Sequence, residues 1–377
     1  MNRKTLWLST SALVGAAMIT APSFAGSVGS RDTMSISLGG ELRFNVGMID
    51  QDITANNGRG YTFLVDESEI QIGAKATAEN GIGYGVGIEL NAGAGDGASA
   101  DEAYAFISNK AWGKIEMGDQ DDATDAAHVG AHGVLVGRGG ADGDVADLFT
   151  FGGTAVSGPG VSATGDATKI RYTSPGINGF TFGASWTPDS GESSGGAATA
   201  DSDADGDNEN VLGLGISYSG EVANLGFDVS LIGEFGSSET AAGAEDGDIE
   251  TIGVGINLTA GNLGFGFDYV DFAEQGITTA NQAAGQDAGS YYQLGASYQT
   301  GPWGVSIGWF ESTVSNATGS GGDTDARVVS LDTAYGVAPG WDLMASLHFA
   351  SVDNMNSTAT EVNNDGTAFI ISNNFKF

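Results

Sequence analysis

Ile252-Gly253-Val254-Gly255-Ile256-Asn257-Leu258-Thr259, then Ala260-Gly261-Asn262, then Leu263-Gly264-Phe265-Gly266-Phe267-Asp268-Tyr269 is the stretch that decides the fold. Apolar residues take every second position on both sides of Gly261-Asn262. In an extended chain successive side chains point to opposite faces, so each run has one apolar face and one face of small or polar groups. The same alternation places Leu212, Leu214, Ile216 and Tyr218 on one face, and likewise Trp303, Val305, Ile307 and Trp309. No sustained 3.6-residue pattern competes with it, which removes helical and doubly wound architectures. The chain is read as all-β.

Short turn signals cut these runs at a regular interval. Asn80-Gly81, Trp112-Gly113, Asn178-Gly179, Ala223-Asn224, Gly261-Asn262, Gly301-Pro302 and Pro339-Gly340 each join two alternating runs directly. Their second residues lie 32, 66, 45, 38, 40 and 38 apart. Between successive tight turns lie two strands and one longer loop rich in glycine and acids. Seven tight turns join fourteen strands, and an opening strand near 36–48 and a closing strand at 367–377 make sixteen. A propeller blade has a similar period but divides it among four short strands with both faces buried. Runs of about ten residues with one apolar face, short turns at one end and long loops at the other describe a 16-stranded antiparallel transmembrane β-barrel.

Composition agrees. Of 377 residues, 62 are glycine and none is cysteine, which excludes disulfides, thiol nucleophiles and thiolate metal sites. Thirteen basic residues face 48 acidic ones, a formal net charge of −35, so no basic face for nucleic acid can be assembled. Residues 1–25 have the layout of a cleaved signal peptide: Asn2-Arg3-Lys4, an apolar stretch, then Ser23-Phe24-Ala25. That leaves a single barrel domain at 26–377. With Arg3 and Lys4 removed, 11 basic residues remain against 48 acidic ones, a net charge of −37. In a barrel of this size the lumen is wet and no conventional core is required, and glycines on the inner face are expected to leave the lumen open.

The closing run Thr367-Ala368-Phe369-Ile370-Ile371-Ser372-Asn373-Asn374-Phe375-Lys376-Phe377 ends on an aromatic, with Phe375, Ile371 and Phe369 at alternating positions and Asn373 departing from them. With Glu102–Ser108 and Trp112–Gln120, which resemble the fourth and fifth strands of the family, the chain resembles a general diffusion porin of the Gram-negative outer membrane, of the alphaproteobacterial type. The resemblance covers the mature chain through its strand count, while the sharp motifs cover about thirty residues. It implies export to the outer membrane as a multi-pass barrel, insertion by the outer-membrane assembly machinery, contact with outer-membrane lipids and lipopolysaccharide, and a homotrimer. It also implies that the loop after the fifth strand, here about 25 residues longer than its neighbours, folds into the barrel and narrows it. That loop opens with Asp119, Asp121, Asp122 and Asp125. By alternation Arg43, Lys75, Lys169 and Arg171 fall on the lumen side of early strands, so a basic wall opposite an acidic loop is expected. The alternative is that these residues merely satisfy a wet wall.

Other groupings are weaker. His128 and His132 stand four apart and could share a metal on a helix, but Gly130 and Gly133 disfavour one and no third ligand is evident, so lining of the constriction is expected. His348 alternates with Leu347 and Phe349 as a lumen residue. Asp201, Asp203, Asp205 and Asp207 repeat oxygen ligands with Gly206 sixth, like the first half of a Ca²⁺ loop, yet Leu212 stands where the bidentate glutamate belongs. A solvated acidic loop and a structural Ca²⁺ or Mg²⁺ site both remain open; no other cofactor is expected. No catalytic grouping can be picked out, so the expectation is a passive pore for small hydrophilic solutes rather than an enzyme. An outer-membrane hydrolase, a substrate-selective channel for a sugar or cationic nutrient, and a structural or adhesive barrel with a closed lumen are the alternatives. The loop acids and the overall charge favour weak cation selectivity that fades with salt.

Overall fold

The structure, a computed structural model, describes residues 30–31, 34–53, 60–93, 99–153, 155–191, 206–238, 247–319, 322–355 and 362–377. The expected signal peptide lies outside the described residues. Sixteen antiparallel strands form the wall: β1 (Met34–Gln51), β2 (Tyr61–Thr77), β3 (Gly83–Asn91), β4 (Ser99–Asn109), β5 (Gly113–Asp119), β6 (Thr168–Thr173), β7 (Phe180–Asp189), β8 (Asn208–Val222), β9 (Leu225–Ser238), β10 (Ile249–Ala260), β11 (Leu263–Asp271), β12 (Ser290–Thr300), β13 (Trp303–Val314), β14 (Thr324–Ala338), β15 (Trp341–Asp353) and β16 (Asn364–Lys376). Each pairs with its sequence neighbours, and β16 returns to β1 with Ile370 opposite Gly47 and Lys376 opposite Glu41. Phe377 completes the seam by exchanging two backbone hydrogen bonds of 3.0 Å with Gly40. A closed sheet leaves no row of unpaired amides, the condition for crossing hydrocarbon with strands.

The seven tight turns fall where the sequence places them, from the β2–β3 turn at Asn80-Gly81 to the β14–β15 turn at Pro339-Gly340. Outward positions such as Leu214, Leu231, Val254, Phe265 and Ile307 are exposed, and inward neighbours such as Ser230, Gln293 and Ser330 are buried. Lipid is the solvent for that outer band. At the tight-turn end aromatic rings gather on the outside: Trp303 with Tyr335 (4.5 Å between centroids), Trp341 with Phe375 (5.7 Å) and Phe180 with Tyr218 (4.6 Å). They make one of the interfacial girdles a barrel needs.

Two expectations change. The barrel does contain an apolar core, inside the lumen toward the long-loop end. Inward-facing Ile232, Val270, Tyr291, Phe310, Val328 and Val352 pack with Val145, Phe149, Phe151 and Val161 of the segment that joins β5 to β6. Each such side chain contributes roughly 1.5–3 kcal/mol on burial, and together they hold the segment inside. The inner-face glycines, for their part, make room for this segment rather than for water. A Cβ on Gly266 would come within 2.7 Å of the Ala131 backbone, one on Gly308 within 3.0 Å of Leu135, and one on Gly255 would collide with the Val129 carbonyl.

Candidate functional site

The segment from Gln120 to Ala167 runs around the inside of the barrel and back. Its root carries a short helix, α1 (Ala123–Ala127), laid against β7, β8 and β9. From there Ala131, Val134, Leu135 and Val136 follow the glycine track of β10 to β13. The Arg138 and Gly140 amides then donate to Ser346 of β15 (3.2 Å) and Ser330 of β14 (2.7 Å). At the tip Asp144 accepts from Asn45 of β1 (2.7 Å), and the Leu148 side chain fills the space over Gly47. The return passes Gln51, whose amide oxygen accepts from the Thr150 amide (3.0 Å), and Tyr291, whose hydroxyl donates to the Pro159 carbonyl (3.0 Å). It ends at Glu234 of β9, which accepts from the Ala163 amide (2.7 Å). The loop therefore covers the wall from β7 to β16, where the Asn364 side chain donates to the Thr150 carbonyl (2.9 Å), and touches β1. Its root also reaches β4, where buried Glu102 accepts from the Asp121 amide (3.1 Å), and β5, where Glu116 is buried, so the wall left open is mainly that of β2 and β3.

The root is sealed by charge. Arg171 of β6 is buried, places two nitrogens on the Glu116 carboxylate of β5 (3.0 and 3.2 Å), and donates to the Asp121 carbonyl (2.9 Å). Lys169, only 2% exposed, donates to the carbonyls of Gln120 and Gly165 at the two ends of the loop. Asp122 is 1% exposed and caps α1, its Oδ1 accepting from the amides of Thr124 and Asp125 (both 2.8 Å) and its Oδ2 from the Ser162 hydroxyl (2.9 Å). These donors, and a hydrogen bond shared with Glu234, hold the Asp122 carboxyl below its ordinary range despite burial. Lys169 and Arg171 thus stand beneath the loop acids, on the same side, rather than across the lumen from them. Burial raises Asp121 above its ordinary value although Arg171 pulls it down. Asp125 is the member of the acidic run that reaches the lumen; desolvation and the neighbouring Asp121 and Asp122 push it up to about 7. Asp119 has the parity of lipid-facing Met117 and sits at the end of β5, bonded to the Thr168 hydroxyl.

The tip is organised around arginines of another kind. A bulge between β1 and β2 leaves Asp66 unmatched and turns it toward Arg43, which donates to Asp66 (2.7 Å) and to Glu41 (2.9 Å). Arg138, from the loop, bonds Asp144 through Nε (2.6 Å) and lies 3.6 Å from Asp66. Lys376 of β16 closes the chain on Glu41 (2.9 Å). Lys75 pairs in register with Ser35 and Gly85 near the tight-turn end, lumen-facing and exposed, apart from this network.

The free wall carries residues that the alternation could have supplied but the acidic loop overshadowed. Register puts Glu67, Glu69 and Gln71 of β2, Glu89 of β3, and Glu102 and Tyr104 of β4 on the lumen side. Arg138 was equally hidden, because a basic residue within a loop has no parity to betray it. The apolar core had a signal too: Tyr269-Val270, Trp309-Phe310 and Val328-Val329 break the alternation with two adjacent apolar residues, one outward and one under the loop. His348 faces inward but lies beneath the loop, where a Cβ on Gly143 would approach its Nε2 to 3.1 Å. His128 is buried and meets Asp268 of β11, while His132 beside it is half-exposed. Asp201, Asp203 and Asp205 lie outside the described residues; Asp207 sits beside Gly191.

A model of the Gram-negative porin family matches residues 9–356. No curated protein matches the chain in sequence. Among solved structures, the anion-selective porin from Comamonas acidovorans superposes with a TM-score of 0.61 at 16% identity, over 91% of this chain and 100% of that one. In-vitro folded OmpT, an outer membrane protein of Vibrio cholerae in its trimer form, gives 0.61 at 14% identity over 92% and 100%. A mutant of the Rh. blastica porin gives 0.55 at 17% identity over 91% and 100%. At such identities the superpositions speak for the fold.

Proposed function

Since the chain belongs to the Gram-negative porin family and is a barrel of the outer membrane, we propose that it passes small hydrophilic solutes and ions by passive diffusion, with a preference for cations. One observation carries the preference. The loop covers β7 to β16, so the solute path runs along β2 and β3, where Glu67, Glu69 and Glu89 face the lumen, with Glu102 of β4 held at its edge by the Asp121 amide (3.1 Å). Of the cations nearby, Arg43 is matched by Glu41 and Asp66 and Arg138 by Asp144, while Lys75 stands apart near the tight-turn end. Lys114 is matched by Glu116. Within a narrow lumen the wall carboxylates act inside one Debye length, about 8 Å at physiological salt, where screening is incomplete. The work is electrostatic and no bond is made or broken.

The same reading covers assembly. A homotrimer is supported by the trimer form of the Vibrio cholerae protein. Lipids and lipopolysaccharide would meet the apolar band and its rim, and the assembly machinery would read the terminal strand whose Phe377 closes the seam. The decisive measurement is the reversal potential of single channels in a KCl gradient. Wild-type protein should prefer K⁺, and Glu67→Gln, Glu69→Gln and Glu89→Gln combined should move the potential toward chloride by more than Asp121→Asn with Asp122→Asn. A chloride-preferring wild type, or a barrel that does not conduct, overturns the reading.

A further inference from the structure

We propose that His128 and His132 of the loop and Asp268 of β11 form a site for one divalent first-row transition-metal ion of the Zn²⁺ type, fastening the loop to the wall. One imidazole nitrogen from each histidine and a carboxylate oxygen of Asp268 all lie within 4.8 Å of one another. His128 Nε2 and Asp268 Oδ2 are 3.2 Å apart. Two ligands each about 2.0–2.1 Å from a tetrahedral ion stand about 3.3 Å from one another, so this pair already has the spacing of two groups sharing a metal. The imidazole centroids are 4.7 Å apart with planes inclined at 46°, and a small rotation of half-exposed His132 brings its nitrogen in.

The surroundings are those of an oriented ligand set. Asp268 is 0% exposed, and its carboxylate is fixed from both sides: Oδ1 accepts from the Ala131 amide (2.7 Å) and Oδ2 from the Gln293 amide (3.0 Å). Neutral donors that aim a ligating carboxylate are the usual outer layer of a metal site. Among the described residues no lysine or arginine pairs with Asp268, and its ionic contact is His128. A buried carboxylate without a fixed cation is expensive, and a bound divalent ion removes that cost.

The loop cannot drift from the wall at this point. A Cβ on Gly130 would press on the Asp268 carboxylate, at 2.5 Å from its carbon, and the Val129 amide donates to Ser230 of β9 (3.0 Å). Two imidazoles and one carboxylate select Zn²⁺, Ni²⁺ or Cu²⁺ over the oxygen-seeking Ca²⁺ and Mg²⁺. With His128 and Asp268 buried and His132 at the lumen edge, the fourth position opens to lumen water. A metal on Nε2 of His128 requires the tautomer protonated at Nδ1, and protonation of a ligating nitrogen displaces the ion, so protons compete with the metal.

The test uses tag-free trimeric or monomeric barrel in detergent, stripped with chelator, and titrated with Zn²⁺ in excess Mg²⁺ so that the acidic loops are already screened. One Zn²⁺ per chain is expected, weakened at least tenfold by His132→Ala and 10–100-fold by Gln293→Leu. If a variant fails to fold, Co²⁺ loaded into the wild-type barrel gives the answer: intense visible bands of a four-coordinate site with nitrogen ligands support the proposal. Zn²⁺ that Mg²⁺ displaces, unchanged affinity in folded His132→Ala, or a Co²⁺ spectrum of six oxygen ligands overturns it.

Discussion

Arg43 and Arg171 read alike in the sequence. Each alternates with apolar residues on a strand, and each points inward. Arg171 lies under the loop root, 4% exposed, with its guanidinium spent on Glu116 and a backbone carbonyl. Arg43 borders the uncovered wall and shares Asp66 with Arg138 of the loop tip. The difference lies in what covers them. A charge sealed beneath the loop is a fastener, and its energetics are those of a buried ion pair. A charge beside the open wall sets the field that ions meet.

Substituting each arginine by methionine separates the two roles and carries the largest effect. Arg171→Met leaves Glu116, 0% exposed, with Lys114 alone. Removing one partner of a buried pair costs about 3–5 kcal/mol, and the remaining lysine puts this case near 3 kcal/mol. The loop root should loosen, read as a lower unfolding temperature in detergent, protease cleavage within the loop and noisier open-channel current. Arg43→Met should cost below about 1 kcal/mol, because Asp66 keeps Arg138 and Glu41 keeps Lys376. Its effect belongs in the reversal potential, which should move toward cations. Equal destabilisation by both variants would erase the distinction between fastener and field.

A second pair sharpens it at smaller scale. Asp122 at the root, itself buried, receives two backbone amides and the Thr124 and Ser162 hydroxyls. Asp122→Ala should cost about 2 kcal/mol, the upper end for loss of a cap, and Asp122→Asn, which keeps the acceptor oxygen, should recover most of it. Neither should alter selectivity much, because the group does not face the lumen. A large shift of reversal potential in Asp122→Asn with stability intact would show that the root acids act on ions.

Strand number, tight turns, parity and the seam at Phe377 were legible because a two-residue period with regular punctuation has few other solutions. Parity also placed Arg43, Lys75, Lys169 and Arg171 on the inner face. It could not say what covers them, since the path of a loop of nearly fifty residues is fixed by contacts far away in sequence: Asn45 with Asp144, Ser346 with Arg138, Ser230 with Val129. The same ignorance hid the Asp268 partner of the histidines, 140 residues from His128. Asp119 was misleading for a simpler reason. It belongs to the strand, where it keeps the lipid-side parity of Met117, and not to the loop that follows it.

The smallest effect concerns Asp125, the exposed acid of the run. Its carboxyl is pushed up to about 7 by desolvation and by the charges of Asp121 and Asp122, against the pull of His128 and Arg171. An acid with a raised value is neutral below it and charged above it, so Asp125 gains its negative charge between about pH 6 and pH 8. Asp166 at the loop's end, raised to about 6 by desolvation and Asp121, adds charge in the lower part of that window. His132 is lowered to about 4 by burial and the charge of His128, so it is neutral throughout and contributes nothing to the change. Cation preference should therefore grow modestly as pH rises from about 6 to 8, and Asp125→Asn should flatten the upper part of the curve while leaving the unfolding temperature nearly unchanged. One carboxylate among several wall glutamates shifts the potential by only a few kT at close range, which places this effect below that of Arg43. A pH-independent reversal potential, or an upper part of the curve that survives unchanged in Asp125→Asn, would mean that Asp125 is silent to ions.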